Sequence, residues 1–185
     1  MCEFVQDGAL FFEPDIENVL SIIIHLASSG TNKIKNYATL IIPHFIRKFS
    51  KSISGIVPEI FSVLFACLIE QEETVESEAL FNPVENAIQE ISRIYESDTD
   101  VASEIIIFIE SQNGEESPQH MRAILVSLRL IWRHFQSVLN AGFKELLYPL
   151  LQVVLQYEDE EVRYQYFNTA TKAINYDHLN ESDII

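Results

Sequence analysis

Glycine, proline, cysteine and basic side chains are all scarce in this chain of 185 residues, which has five Gly, six Pro, two Cys and 12 Lys plus Arg. So little Gly and Pro beside a 48% apolar fraction excludes fibrous and low-complexity classes and favours an ordered, helix-rich fold. Five glycines form neither a G-x-G-x-x-G turn nor a P-loop, so no phosphate cradle is written in the chain. Cys2 and Cys67 are too few for a disulfide framework or a zinc site, and Cys67, inside IFSVLFACLI, is expected to be a buried thiol in a reducing compartment. Twelve basic residues against 28 acidic ones leave a net charge of −16, which argues against nucleic acid as a partner. The longest apolar runs, such as VLSIIIHLA and EIIIFIE, fall short of the roughly 20 residues needed to span a bilayer, so no membrane is expected either. The stretch MCEFVQDGALFFEPD carries acids where a secretory leader carries bases, which predicts a cytoplasmic or nuclear location.

The order that is present is periodic. Apolar helical segments recur in pairs about every 40 to 45 residues, giving units at about 14–51, 54–96, 99–136 and 142–176 of a single domain over 1–185. In the last unit, Phe143, Leu146, Leu147, Leu150, Leu151, Val154 and Leu155 keep the spacing of one helix face. A second helix from about Glu160 to Asn175 follows, with Val162, Tyr166, Phe167, Ala170, Ala173 and Ile174 expected on its inner side. No strand-like alternation persists. The predicted class is all-α, an α-solenoid of about four antiparallel helix pairs. DHLNESDII, with Asn180 or Ser182 as a cap and Leu179, Ile184 and Ile185 as apolar positions, reads as the opening of a further helix, so the chain is expected to be a fragment or a short relative of a longer solenoid.

Between paired helices lie acidic turns. In YEDEEVRYQY, Asp159, Glu160 and Glu161 stand where a helix start needs an oxygen cap and favours negative charge, and Arg163 can reach back towards them. EQEETVES and QNGEESPQ repeat the device, the latter with Pro118 at a helix start. PDIENVLSIIIHLASSG reads as a helix ending at Gly30. Pro43 is expected to kink or split the next helix, and Pro83 to start the main part of its own.

Catalytic chemistry has no signature. The five histidines form no i, i+4 pair and no H-E-x-x-H, G-x-S-x-G is absent, and the adjacent carboxylates fall at solvated turns. Neither catalysis nor a cofactor or metal is expected. Charge is instead distributed unevenly: fourteen acids and only Arg93 lie from Glu70 to Glu116, while Lys33, Lys35, Arg47, Lys48 and Lys51 cluster earlier. The candidate partner-binding residues follow from exposure and charge: Glu72, Glu73 and Glu76 in the acidic tract, Arg122, Arg129 and Arg133 as a basic stripe, and Asp159, Arg163 and Tyr164 around the last turn. Trp132, Phe135, Tyr148, Tyr157, Tyr166 and Phe167 are read as packing residues, with Tyr164 on the opposite, exposed side of its helix.

The unit LLYPLLQVVLQYEDEEVRYQYFNTATKA, an apolar helix, an acidic turn, Val-Arg and a helix with small residues inside, resembles a HEAT repeat. Within that superfamily, residues 56–185 are similar to the C-terminal repeats of the cullin-associated, neddylation-dissociated proteins. The similarity rests on IVPEIFSVLFACLIE, EISRIYESDTD, SPQHMRAILVSLRLIW and EDEEVR followed by Thr169, Ala173 and Asn175. The resemblance implies a monomeric, non-enzymatic scaffold that grips a cullin–RING core and governs exchange of its substrate-receptor modules. The competing resemblance is to importin-β-type transport receptors, which implies basic cargo and a Ran-type GTPase as partners. A generic HEAT-repeat adaptor is the third reading.

Overall fold

The computed structural model describes residues 15–70, 75–112, 117–135, 154, 156 and 158–175, with backbone alone over 75–82 and 172–175. Every regular element among them is helical. The chain divides into two compact units, Met1–Ile94 and Tyr95–Ile185.

The first unit contains α1 (Ile16–Ser29), α2 (Asn32–Phe49), a 3-10 turn at Ser54–Ile56, α3 (Val57–Ile69) and α4 (Val75–Ile94). Its main packing pairs are α1 with α2, α1 with α3, α2 with α4, and α3 with α4. The hairpin α1–α2 therefore lies on the hairpin α3–α4 with first helix on first helix and second on second. Each helix supplies one apolar stripe: Leu20, Ile24 and Ala27 from α1, Ile42 and Ile46 from α2, Ile60, Phe61, Leu64 and Leu68 from α3, and Val84, Ile88 and Ile91 from α4 are all buried. Each such Leu, Ile or Phe contributes on the order of 1.5–3 kcal/mol by leaving water, and this shared core holds the hairpins together.

The turn between α1 and α2 is tight. α1 ends at Gly30, as its sequence predicts, and the Gly30 N–H donates to the Leu26 carbonyl at 3.1 Å. A Cβ on Gly30 would lie 2.5 Å from that carbonyl oxygen and 2.7 Å from Cγ2 of Ile34, so the close approach of two helix ends requires glycine.

Of the two internal prolines, Pro83 sits differently from the sequence expectation. Pro43 does not split α2, and Pro83 lies inside α4 rather than at its start, so TVESEALF is no separate piece over its helical residues. A proline in a helix interior removes one hydrogen bond and costs ~3 kcal/mol in isolation. Here both rings are buried, and apolar side chains continue past each one: Phe45 and Ile46 after Pro43, and Val84, Ala87 and Ile88 after Pro83. Burial that continues past each ring offsets the missing bond.

The second unit contains α5 (Thr99–Ser111), α6 (Pro118–Ile131) and α7 (Glu160–Asn175), with α6 packed on α7. Caps fix the starts. The Asp98 carboxylate accepts from Val101 N–H at 3.2 Å, and the Ser117 hydroxyl accepts from His120 N–H at 3.1 Å just before Pro118 in the first turn. Asp159 accepts from the N–H groups of Glu161 and Val162 at 2.9 and 3.1 Å, so the acidic turn caps α7 as its sequence predicts. α6 is buried nearly all round, from Met121 through Ala123–Leu128 to Leu130 and Ile131.

Candidate partner-binding surfaces

The described side chains offer little to chemistry. Among the described residues no group of three or more His, Cys, Asp or Glu is placed to hold a metal ion, and none of the helices is long and apolar enough to cross a membrane. Cys67 is buried, as predicted, with its thiol 3.6 Å from the Ala27 carbonyl that accepts from it. Burial pushes its pKa up to about 11, more than offsetting the nearby Lys35 charge, so this thiol is not poised as a nucleophile. Burial, with the Asp98 carboxylate adding to it, likewise raises Tyr95 to about 12.

The acidic tract from Glu70 onward is not left wholly to solvent. Lys35 pairs with Glu70, and Arg47 Nε donates to Glu90 Oε1 at 2.8 Å. Arg93 Nη2 reaches the same Glu90 oxygen at 2.6 Å. The Arg93 hydrogen bond above all, with burial opposing it and the charges of Arg47 and Arg93 and the Arg47 hydrogen bond adding to it, holds Glu90 below the usual carboxylate range. The charge segregation seen along the sequence is thus partly cancelled inside the first unit, where basic α2 meets the acidic second hairpin. Of the tract's candidates, Glu72 and Glu73 lie outside the described residues, as does the side chain of Glu76, whose backbone belongs to α4.

In the second unit the three arginines do not make one exposed stripe. Arg122 and Arg129 are half-buried on α6, while Arg133 is exposed beyond the end of that helix. Around α7, Asp159 is exposed and serves as the cap, and Arg163 and Tyr164 are exposed, Tyr164 to 60%. One expectation for α7 is corrected: Phe167 is 58% exposed rather than inward. Gln165 is buried beside Val162, Tyr166, Thr169 and Ala170. The helix is rotated so that Thr169 faces α6, where its hydroxyl lies 3.0 Å from the Leu125 carbonyl and 2.8 Å from the Gln165 carbonyl. Gln165 Nε2 donates to Glu161 Oε1 at 2.6 Å, which lets the amide sit in the seam.

The rotation has a surface consequence. Tyr164 and Phe167, one turn apart, project together, and the Phe167 ring meets buried Tyr166 edge-on at a centroid distance of 5.7 Å. An aromatic pair supported from beneath and bordered by Arg163, Glu160 and Asp159 has the make-up of a protein-contact hot spot. Of the predicted residues the structure therefore brings together Asp159, Arg163 and Tyr164, and adds Phe167. Trp132 and Phe135 are buried as expected, whereas Tyr148 and Tyr157 lie outside the described residues.

A second exposed surface went unremarked in the sequence. α2 presents Ile34, Tyr37 and Leu40 to solvent, and α1 presents Ile22 and Leu26. The signal was available in NKIKNYATLIIPHFIRKF, which holds no acid in a strongly acidic chain. No family model, no curated protein and no solved structure matches the chain.

Proposed function

We propose that this protein is a non-catalytic scaffold of the α-solenoid type, whose stacked helical hairpins display side chains to protein partners. One observation carries the reading: in the first unit, successive hairpins stack first helix on first and second helix on second, which is the repeat contact from which solenoids grow. A closed up-and-down bundle would pair α2 with α3 at an edge, whereas the main packing here pairs α2 with α4 and α1 with α3. The exposed Tyr164–Phe167 pair is the contact site we assign to the second unit.

The narrower reading, a scaffold that binds a cullin–RING core, rests on the HEAT-like units of residues 56–185. The transport-receptor reading asks the acidic tract to hold basic cargo, and it is less favoured because Glu70 and Glu90 already pair with Lys35 and Arg47.

The test is affinity capture with the full chain as bait against a lysate of its own cells, compared with the double variant Tyr164→Ala/Phe167→Ala. Partners that fall at least about tenfold with the variant support the scaffold reading, since loss of a hot-spot pair costs 2 kcal/mol or more. A cullin with its RING subunit among them supports the narrower one, which is then checked with purified components. An identical partner set for both baits refutes the assigned site, and recovery of a Ran-type GTPase with basic nuclear proteins favours the transport reading.

A further inference from the structure

Lys33, Tyr37, Leu40, His44 and Lys48 follow one another at spacings of four, three, four and four, so they lie in a line along α2, and all five are exposed. Tyr37 and Leu40 at the middle are 51% and 47% exposed, and the line is about 22 Å long at 1.5 Å per residue. Its ends are basic and its centre is apolar, with exposed Ile34 beside Tyr37.

Charge on α2 is one-sided. The helix contains no Asp or Glu, and its first turn holds Lys33 and Lys35, where the helix dipole disfavours cations. Lys35 is accounted for by Glu70, and Arg47, near the other end, by Glu90. Lys33 makes no ion pair among the described residues, nor does exposed Lys51 just past the helix. A cation held at an unfavourable helix end with no ion pair among the described residues is placed to take a carboxylate from a partner. The apolar centre needs a ligand that can also cover Tyr37 and Leu40.

We infer that this outward line of α2 is a docking surface for an acidic amphipathic helix of a partner protein. This inference deepens the scaffold reading and rests on it, but concerns a different unit from the Tyr164–Phe167 pair. A helix laid along α2 places apolar side chains at i, i+3, i+4 and i+7 over Ile34, Tyr37 and Leu40, and carboxylates near Lys33 at one end and Lys48 and Lys51 at the other. Nucleic acid fits the cations but not the apolar centre, and the net charge of −16 repels it. The same field opposes any acidic ligand at a distance. Beyond ~8 Å it is screened at physiological ionic strength, so the cations at the surface decide the last approach.

The test uses the full chain and a fluorescein-labelled acidic peptide of about 18 residues, long enough to cover the line at 1.5 Å per residue, with Leu at i, i+3, i+4 and i+7 and Glu between them. A scrambled peptide of equal composition and a charge-reversed peptide with Lys for Glu are the controls, and binding is read by fluorescence anisotropy. The expected result is saturable binding of the acidic amphipathic peptide alone, weakened at least about tenfold by Tyr37→Ala/Leu40→Ala and, separately, by Lys33→Glu/His44→Glu. Both variants change exposed side chains, and unchanged circular dichroism confirms the fold. Failure to bind, equal binding of either control peptide, or affinity unchanged in both variants overturns the inference. Sedimentation of the chain alone supplies the remaining arm: self-association abolished by Tyr37→Ala/Leu40→Ala would assign the face to a second copy and overturn it as well. If the peptide fails while Tyr164–Phe167-dependent capture persists, this inference falls and the scaffold reading stands.

Discussion

Asp159 accepts two N–H groups at the start of α7 that no helical carbonyl can reach, beside the positive end of the helix. Asp159→Ala should cost about 1 kcal/mol, the usual cost of losing a cap, whereas Asp159→Asn should retain most of that stability. Urea denaturation at neutral pH checks both; equal losses for Ala and Asn would mean that charge rather than capping matters. Further along α7, Gln165 and Phe167 show why burial cannot be read from hydrophobicity alone. A helix offers one inward arc, and the hydroxyl of Thr169 selects it by meeting the Leu125 carbonyl, so a glutamine goes in and a phenylalanine stays out. Net gain from such a bond is about 1 kcal/mol.

At the level of elements, the hairpin tip of α1 and α2 depends on the absence of a side chain at Gly30. Its φ of −71° is ordinary for any residue, so the constraint is space rather than backbone strain. Gly30→Ala should destabilise the first unit by about 1–3 kcal/mol, the range for overpacking, because the new methyl meets a backbone oxygen. Thermal unfolding followed by circular dichroism checks this; a stabilised variant would show that the turn can open freely. The end of α1 at Gly30, the cap of α7, the proline at the start of α6 and the burial of Cys67 were all legible in the sequence, because each follows from a local rule about one or two residues. The continuity of α4 through Pro83 was not. It depends on apolar partners brought from other helices, and a proline's local cost is visible in the chain while its tertiary compensation is not.

Over the whole chain the excess of acid is large, yet the charges that shape the fold are few and specific. Glu90 gathers Arg47 from the first hairpin and Arg93 from its own helix, and its pKa lies below the ordinary carboxylate value for that reason. A carboxylate whose folded pKa is depressed adds stability above its unfolded pKa and loses that contribution as pH falls through the folded one. Glu90→Gln should therefore lower stability at neutral pH by up to about 1 kcal/mol, with the solvent-exposed arginines limiting the effect. The difference from the parent chain should vanish as pH falls below the depressed pKa, measured by urea titrations from neutral to acid. A gap that persists there would trace the loss to packing. The candidate surfaces were only half legible. Tyr164 was found because it falls across its helix from the apolar stripe, while the line on α2 emerges only once the fold shows which of its side chains are exposed and that Lys35 and Arg47 are engaged. Those two engaged residues stand about 18 Å apart along α2 at 1.5 Å per residue, one held by Glu70 and the other by Glu90. One fastening would be a swivel. Two fastenings near opposite ends of a rod set its heading, so the pair gives the joint between hairpins torsional stiffness that an apolar contact, indifferent to small rotations, does not supply.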